Sequence, residues 1–176
     1  MYKILIPLLL LSQLAVTNVV QAKPADLSPQ LQVFANYLGT WEARFEMMDG
    51  NPAVVDVTTW VRALNGKAIR TLHSINEGMY GGESLIFWDK AQQKIVFYYF
   101  TTADFFTHGH IEIIDDYNFV AYEDVSGSED GITQVKSTST LTKKNIVVST
   151  AYLQNGKWTE PEVRTYKPSE KQVIFK

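Results

Sequence analysis

The stretch from Trp41 to Met47 reads WEARFEM, in which apolar and charged residues alternate. The apolar residues at every second position are Trp41, Ala43, Phe45 and Met47. Successive side chains of a β-strand point to opposite faces, so this alternation is typical of a strand with one buried face. The stretch therefore predicts a half-buried first strand.

A short amphipathic segment comes before this strand. Ser28-Pro29 fits a helix N-cap followed by proline at the first helical position. Apolar residues then recur at helical spacing, namely Leu31, Phe34, Ala35 and Leu38. Gly39 is the expected end of this helix, because glycine commonly terminates helices and lets the chain turn tightly into a strand. We expect one short N-terminal helix and no further helical segment of useful length.

Strand and turn patterns alternate along the rest of the chain. Turn signals lie at Asp49–Pro52, Asn65-Gly66, Gly78–Gly82 and Asn155-Gly156. The expected strands after the first are Val54–Arg62, Lys67–Asn76, Glu83–Trp88, Lys94–Thr102, Thr107–Ile114, Asn118–Asp124, Ile132–Leu141, Asn145–Leu153 and Lys157–Tyr166. The tail from Gln172 to Phe175 is a candidate for a short last strand that closes the sheet.

The short connections between these strands decide the expected architecture. Strands joined by hairpins pair with their neighbours in sequence, and a meander of about ten strands is too long to stay a flat open sheet. Closure removes the exposed edges, so we expect an all-β, up-and-down antiparallel barrel with a short N-terminal helix. A Greek-key sandwich is the alternative, although its crossovers need longer connections than most of these.

The first residues have the pattern of a secretory signal peptide. Lys3 supplies a basic start, Ile4–Val16 is almost continuously apolar, and Val20-Gln21-Ala22 offers small residues at a cleavage site. The apolar run is too short for a transmembrane anchor, which needs about 20 apolar residues. We expect cleavage after Ala22, a single barrel domain over residues 23–176, and a periplasmic or secreted location.

Composition narrows the function classes for the mature chain. The full chain has 176 residues, 19 acidic and 16 basic, and no cysteine. Without cysteine the protein has neither disulfides nor the residue that a bacterial lipoprotein acylates. A mildly acidic chain without a basic run has little to offer phosphate groups, so we expect no nucleic-acid partner.

The opening of the barrel resembles that of calycin proteins, the lipocalins and their relatives. The residues that carry the resemblance are a short helix followed directly by Gly39-Thr40-Trp41, and it is supported by Glu83–Asp89 followed by Lys94–Tyr99. The chain is most similar to bacterial lipocalin-like domains of unknown function. The resemblance implies a small-molecule binder whose Trp41 closes the barrel floor and whose late arginine, with Arg164 as the candidate, packs over that indole. An ordinary surface position for Arg164 remains open.

The segment from Val96 to Phe106 is the richest in aromatic residues. Both faces of its strand are aromatic, so one set should face a cavity and the other solvent or a partner, a second copy of the chain included. A filled core is an equally good interpretation of the inner set. Since a register slip of one residue exchanges the faces, we choose Tyr98 and Phe100, which share a face with Val96. The expected ligand-binding residues are Trp41, Phe45, Arg70, Tyr98 and Phe100.

Few residues suggest catalysis or metal binding. His108 and His110 share a strand face with Glu112, yet no third ligand is evident, so we expect no metal and no cofactor. His73 falls on the opposite face from Arg70 and is interpreted as a barrel-wall or surface residue, not as a catalytic base. No serine lies in a nucleophile elbow and no thiol is present, so we assign no catalytic residue.

Three functions therefore remain open at this point. The first is binding of a small, mostly apolar or amphipathic molecule, in which Arg62 or Arg70 could meet the head group of a fatty-acid-like or aromatic acid. The second is an assembly or interaction role in the envelope through the outer surface. The third is a barrel enzyme. An enclosed cavity with a few polar groups favours the first, an exposed apolar patch the second, and a perturbed His or Glu inside the barrel the third.

Overall fold

The computed structural model of the protein describes residues 26–46, 53–128 and 130–176. The expected signal peptide, Met47 and the expected turn Asp49–Pro52 lie outside these residues. A 3₁₀-helix spans Pro29–Tyr37. The strands are β1 (Gly39–Phe45), β2 (Val54–Ala63), β3 (Ala68–Ile75), β4 (Tyr80–Asp89), β5 (Lys94–Thr101), β6 (Phe106–Ile113), β7 (Asn118–Asp124), β8 (Ile132–Leu141), β9 (Ile146–Gln154), β10 (Lys157–Trp158) and β11 (Glu162–Pro168).

Ten of these strands form a closed antiparallel barrel. Each strand from β1 to β9 pairs with its neighbours in sequence, β9 also pairs with β11, and β11 returns to β1. The two-residue β10 pairs with the end of β9. The strand order follows the chain order, so the expected up-and-down barrel of about ten strands is confirmed and the Greek-key alternative is wrong.

The chain departs from the expected elements near its C-terminus. The expected strand Lys157–Tyr166 is interrupted before β11 at Pro161, which has no N–H to donate to a strand ladder. The tail adds no strand: the Ile174 N–H donates to Ser74 Oγ at 3.1 Å, and β11 itself closes the barrel. Gly82, expected in a turn, lies inside β4, where a Cβ atom would collide with the ring of Tyr99.

The helix differs from the expected one in its period. Leu31, Phe34 and Tyr37 are fully buried. A 3₁₀-helix has three residues per turn, so residues three apart lie directly above one another and form one apolar stripe. The spacing of an α-helix predicted Leu38 instead of Tyr37. Leu38 is extended, and Gly39, at φ 130°, is already the first residue of β1.

The helix closes one end of the barrel with an aromatic cluster. The ring centroids of Phe34 and Tyr37 lie 5.3 and 5.2 Å from that of Phe119, and Trp60 packs against the same three rings. The Tyr37 hydroxyl donates to the Tyr117 carbonyl at 2.8 Å. These contacts join the helix to strands on opposite sides of the barrel. None of the helices in the described part of the chain is long and apolar enough to cross a membrane.

Trp41 connects this helix to the barrel wall. Its side chain is 9% exposed, and its indole N–H donates to the Tyr37 carbonyl at 2.8 Å. That carbonyl lies at the end of the helix, where intrahelical partners run out, so the indole stabilises the helix terminus as well as the core.

We predict that Trp41→Ala lowers the free energy of unfolding by about 3–5 kcal/mol, because it removes a buried indole and leaves the Tyr37 carbonyl without this donor. Denaturant unfolding of the mature protein measures this loss. The matched control is Trp158→Ala on β10, where the side chain is 46% exposed and a change of about 0.5 kcal/mol is expected. Equal stabilities for the two variants would contradict a structural role for Trp41.

Candidate ligand-binding cavity

The barrel interior holds a cavity of about 730 Å³. This volume lies within the range of small-molecule sites. Trp60 and Phe119, which pack against the helix, form its floor together with Ile86, Phe97 and Ile111. Toward the other end of the barrel the lining includes the exposed loop residues Ser126 and Gly127. The cavity is therefore apolar at the end that the helix closes and extends to the surface at the opposite end.

Strand β5 turns Phe97 and Tyr99 into the cavity. The side chains of Tyr98 and Phe100 are 42% and 54% exposed on the outer face. The expectation that Tyr98 and Phe100 line the cavity is therefore wrong. Both faces of the strand are aromatic, so side-chain type could not decide between them. The register of β4 with β5 decides which face is inside, because it places Phe97 beside the buried Ile86.

Three other expected ligand-binding residues also lie away from the cavity wall. Trp41 is in the core beside the helix, and Phe45 packs at the edge of that core, so neither is among the lining residues. Arg70 points outward and forms two hydrogen bonds to the Glu83 carboxylate, at 2.7 and 2.6 Å. The expectation that Arg70 meets a ligand head group inside the barrel is therefore wrong, because its strand position alternates with the inward His73.

Arg164 faces the interior, but its partner is not Trp41. Its guanidinium carbon lies 4.2 Å from the ring centroid of Phe45, and one of its nitrogens lies 3.0 Å from the Glu162 carboxylate. The register of β1 with β11 explains the difference, since it places Pro168 opposite Trp41 and leaves Arg164 further along, beside Phe45. Arg164 also lines the cavity.

A chain of polar side chains runs along one wall of the cavity and starts at Asp56, which is 5% exposed. Asp56 Oδ2 accepts a hydrogen bond from the Tyr166 hydroxyl at 2.7 Å. Asp56 Oδ1 lies 3.2 Å from His73 Nδ1, and His73 Nε2 lies 2.7 Å from the Tyr99 hydroxyl. The Tyr99 hydroxyl in turn lies 2.9 Å from that of Tyr80. Strands β2, β3, β4, β5 and β11 thus contribute to one network.

The chemistry of these groups gives the network a direction. A carboxylate can only accept, so Nδ1 of His73 carries the proton that points to Asp56. When the imidazole is neutral, Nε2 is the acceptor and Tyr99 donates to it. With Nε2 as the acceptor, the Tyr99 oxygen accepts from Tyr80, and the Tyr80 oxygen at the end of the chain can accept a hydrogen bond from the cavity.

Glu123 also lines the cavity, from β7, two strands along the wall from the β5 strand that carries Tyr99. Its Oε1 accepts a hydrogen bond from the Thr107 hydroxyl at 2.5 Å. Burial raises the pKa of the Glu123 carboxyl, because the ionised form loses hydration there. Burial also raises the pKa of Tyr80 and of Tyr99, and the negative charge of Glu123 adds to both shifts. Glu123 therefore acts on the same part of the cavity that the polar chain reaches.

Sequence reasoning did not single out Asp56 and Glu123, although their positions in the strand alternation carry a signal. Asp56 shares strand parity with Trp60, and Glu123 with Phe119, and both aromatic rings prove to be inward. A carboxylate on the apolar face of a strand is unusual, because burial of a charge is costly without partners. Once the inner face of each strand is known, this alternation identifies Asp56 and Glu123 as carboxylates inside the barrel.

The histidine pair lies on the outer face of β6, as expected for residues that share a face. The His110 ring stacks on Tyr122 at 5.1 Å and lies 3.6 Å from Glu112, and the His108 ring is 5.9 Å from Tyr98. Within residues 26–46, 53–128 and 130–176, no three His, Asp or Glu side chains are placed to hold a metal ion. The expected absence of a metal stays a prediction.

Comparisons with known proteins bear on the fold. No family model matches this sequence, and no curated protein matches it. The chain is similar to the protein in the crystal structure of Rv2717c from M. tuberculosis, with a TM-score of 0.55 and 10% sequence identity, over 82% of this chain and 100% of that chain. At this identity the likeness concerns the fold alone. A closed antiparallel barrel of ten strands fits a calycin-like fold.

We predict that Glu123→Gln raises the melting temperature at neutral pH. An unfolded Glu ionises near pH 4.3, and the raised pKa in the folded state means that the unfolded state loses its proton first. Between the pKa of Glu123 in the unfolded state and its pKa in the folded state, the free energy of unfolding falls as pH rises. Below both pKa values Glu123 is protonated in both states, and the cost of burying its charge vanishes. The gain from glutamine should therefore shrink as pH falls toward 4.

The matched control for this measurement is Glu112→Gln, which removes the same charge from an exposed position on the outer face. Calorimetry at several pH values should show little change in this control. A Glu123→Gln protein that melts lower than the parent at neutral pH would contradict the assigned penalty.

Proposed function

We propose that this chain is an exported lipocalin-like protein that binds a small, mostly apolar molecule inside its barrel. The observation that carries the proposal is the cavity of about 730 Å³, which has an apolar floor and a polar network on its wall. A few placed polar groups in an apolar cavity are typical of small-molecule sites. The proposal includes neither a nucleic-acid partner nor a metal or cofactor.

The distribution of lining residues describes the molecule that the cavity would accept. The floor offers the rings of Trp60, Phe97 and Phe119 to an apolar body. The polar chain that ends at Tyr80, together with Glu123 on β7, would orient a polar group nearer the surface. An amphipathic molecule that enters with its apolar end first satisfies both regions.

Export and ligand binding can be tested in one measurement. Protein purified from the cell envelope of its own source should have the mass of residues 23–176, if cleavage follows Ala22. Native mass spectrometry of the same sample should show a larger species that carries a co-purified small molecule. Full-length protein in the cytosolic fraction would contradict export and would leave the binding proposal to the next experiment.

We predict that a neutral fluorescent apolar dye such as Nile red binds the mature protein with micromolar affinity or better. The inner-face variants Phe97→Ala and Tyr99→Ala should weaken binding about tenfold or more, because they remove rings from the cavity wall. The matched outer-face variants are Phe100→Ala and Tyr98→Ala, which change the same residue types on the same strand. They should bind the dye as the parent does, and no binding by the parent would contradict a ligand-binding function.

A second candidate function rests on the outer face of the same region. Tyr98, Phe100 and Phe106 are 42%, 54% and 57% exposed, and the rings of Phe100 and Phe106 stack at 5.9 Å. Exposed aromatic side chains in a group are typical of protein contacts. An interaction role, with a second copy or another envelope protein, would make Phe100→Ala lower self-association or partner capture without a change in dye binding. Sedimentation of the parent and of Phe100→Ala measures the first case.

A further inference from the structure

We propose that the polar group of the bound molecule is a protonated amine, held between the Glu123 carboxylate and the hydroxyl oxygen of Tyr80. This inference rests on the proposed ligand-binding function and names the ligand class: an apolar body that carries one ammonium group. It follows from the direction of the hydrogen-bond chain, the charge balance of the cavity and the aromatic rings around Glu123.

The direction of the chain leaves an acceptor toward the cavity. Asp56 accepts hydrogen bonds from Tyr166 and His73, so with a neutral imidazole each later member of the chain can donate back toward Asp56. In this arrangement Tyr80 donates to Tyr99, and the Tyr80 oxygen can accept a hydrogen bond from a molecule in the cavity. A polar group that donates, such as a hydroxyl or an ammonium, fits this acceptor, and an ionised carboxylate does not.

The charges that line the cavity favour the ammonium over the hydroxyl. Asp56 already has two donors. Arg164 is already held by the Glu162 carboxylate and the Phe45 ring. None of the salt bridges within the described residues involves Glu123, whose contact is the neutral hydroxyl of Thr107. An ammonium group would supply the positive charge that this carboxylate lacks.

Aromatic rings add a second attraction for a cation. Tyr80, Tyr99, Phe105 and Tyr152 all line the cavity with Glu123. Burial raises the pKa of Tyr80, Tyr99 and Tyr152, and the negative charge of Glu123 adds to each shift, so this carboxylate is close enough to act on three phenols. Cations are attracted to the faces of aromatic rings, and the attraction increases when water is excluded. A carboxylate surrounded by tyrosines is a suitable site for an organic ammonium.

A hydrocarbon series with one variable head group tests this assignment. Dodecylamine, dodecanol and dodecanoic acid share an apolar body and differ in charge, and each can displace Nile red from the mature protein at pH 7. We expect dodecylamine to bind about tenfold tighter than dodecanol, and dodecanoic acid to bind more weakly than both. The Glu123→Gln variant should bind dodecylamine and dodecanol equally well.

Matched variants separate the site from the general charge of the protein. Glu112→Gln removes the same charge from the outer face and should keep the full preference for the amine. Tyr80→Phe removes one acceptor and should weaken dodecylamine binding several-fold and dodecanol binding by less, because an ammonium forms a stronger hydrogen bond to the phenol oxygen than a neutral hydroxyl does. If Glu123→Gln does not fold, as judged by circular dichroism, Tyr80→Phe decides the test.

Each outcome supports the assignment or overturns it. A preference for the amine that is lost in Glu123→Gln and kept in Glu112→Gln supports the inference. Equal binding of amine and alcohol, tighter binding of the acid, or a preference that survives in Glu123→Gln overturns the amine assignment and leaves the ligand-binding function standing. If none of the three probes binds and Nile red does not bind either, the proposed function and this inference both fail.

Discussion

A barrel of ten strands encloses more space than the side chains of its own walls fill, and the described structure answers this constraint in two ways. At one end the 3₁₀-helix inserts Leu31, Phe34 and Tyr37 and makes a packed core. At the other end the space stays open as a cavity of about 730 Å³. Small barrels either fill with side chains or hold one small ligand, and this barrel does both along its axis.

Asp56 links barrel closure to the cavity wall. Its carboxylate is buried on β2, and its two donors come from His73 on β3 and Tyr166 on β11, the strand that returns to β1. The small side chain of Ala43, opposite Asp56 on the intervening β1, leaves room for the Tyr166 hydroxyl to reach across. A buried charge is costly unless it is hydrogen-bonded. The same bonds therefore fix the closing strand and set the direction of the hydrogen bonds that reach Tyr80.

The two faces of the wall separate the two candidate functions. Inside, Phe97 and Tyr99 contribute to a cavity with acceptors on both sides, which is the basis of the binding proposal. Outside, Tyr98 and Phe100 are exposed and stack on neighbouring rings. One strand thus serves both faces, and each function can be tested with a substitution that leaves the other face intact.

The sequence alone determined the strand order and the presence of a short helix before β1, because these follow from local periodicity and turn residues. Alternation in Trp41–Phe45 and the Asn-Gly hairpins were sufficient for an up-and-down barrel. The sequence alone did not determine the period of the helix, because residues 31, 34 and 38 fit an α-helix as well as residues 31, 34 and 37 fit the observed 3₁₀-helix.

Only the tertiary structure decided which face of each strand is inside and which polar groups meet. Phe97 and Tyr98 are equally suited to a cavity, and the choice depended on the register of β4 and β5. Asp56, His73 and Tyr166 lie on three different strands, the last of them 110 residues from the first. No local pattern specifies such a meeting, because it results from closure of the sheet. The proposed site is therefore a property of the closed barrel, with its residues drawn from strands that are far apart in the chain.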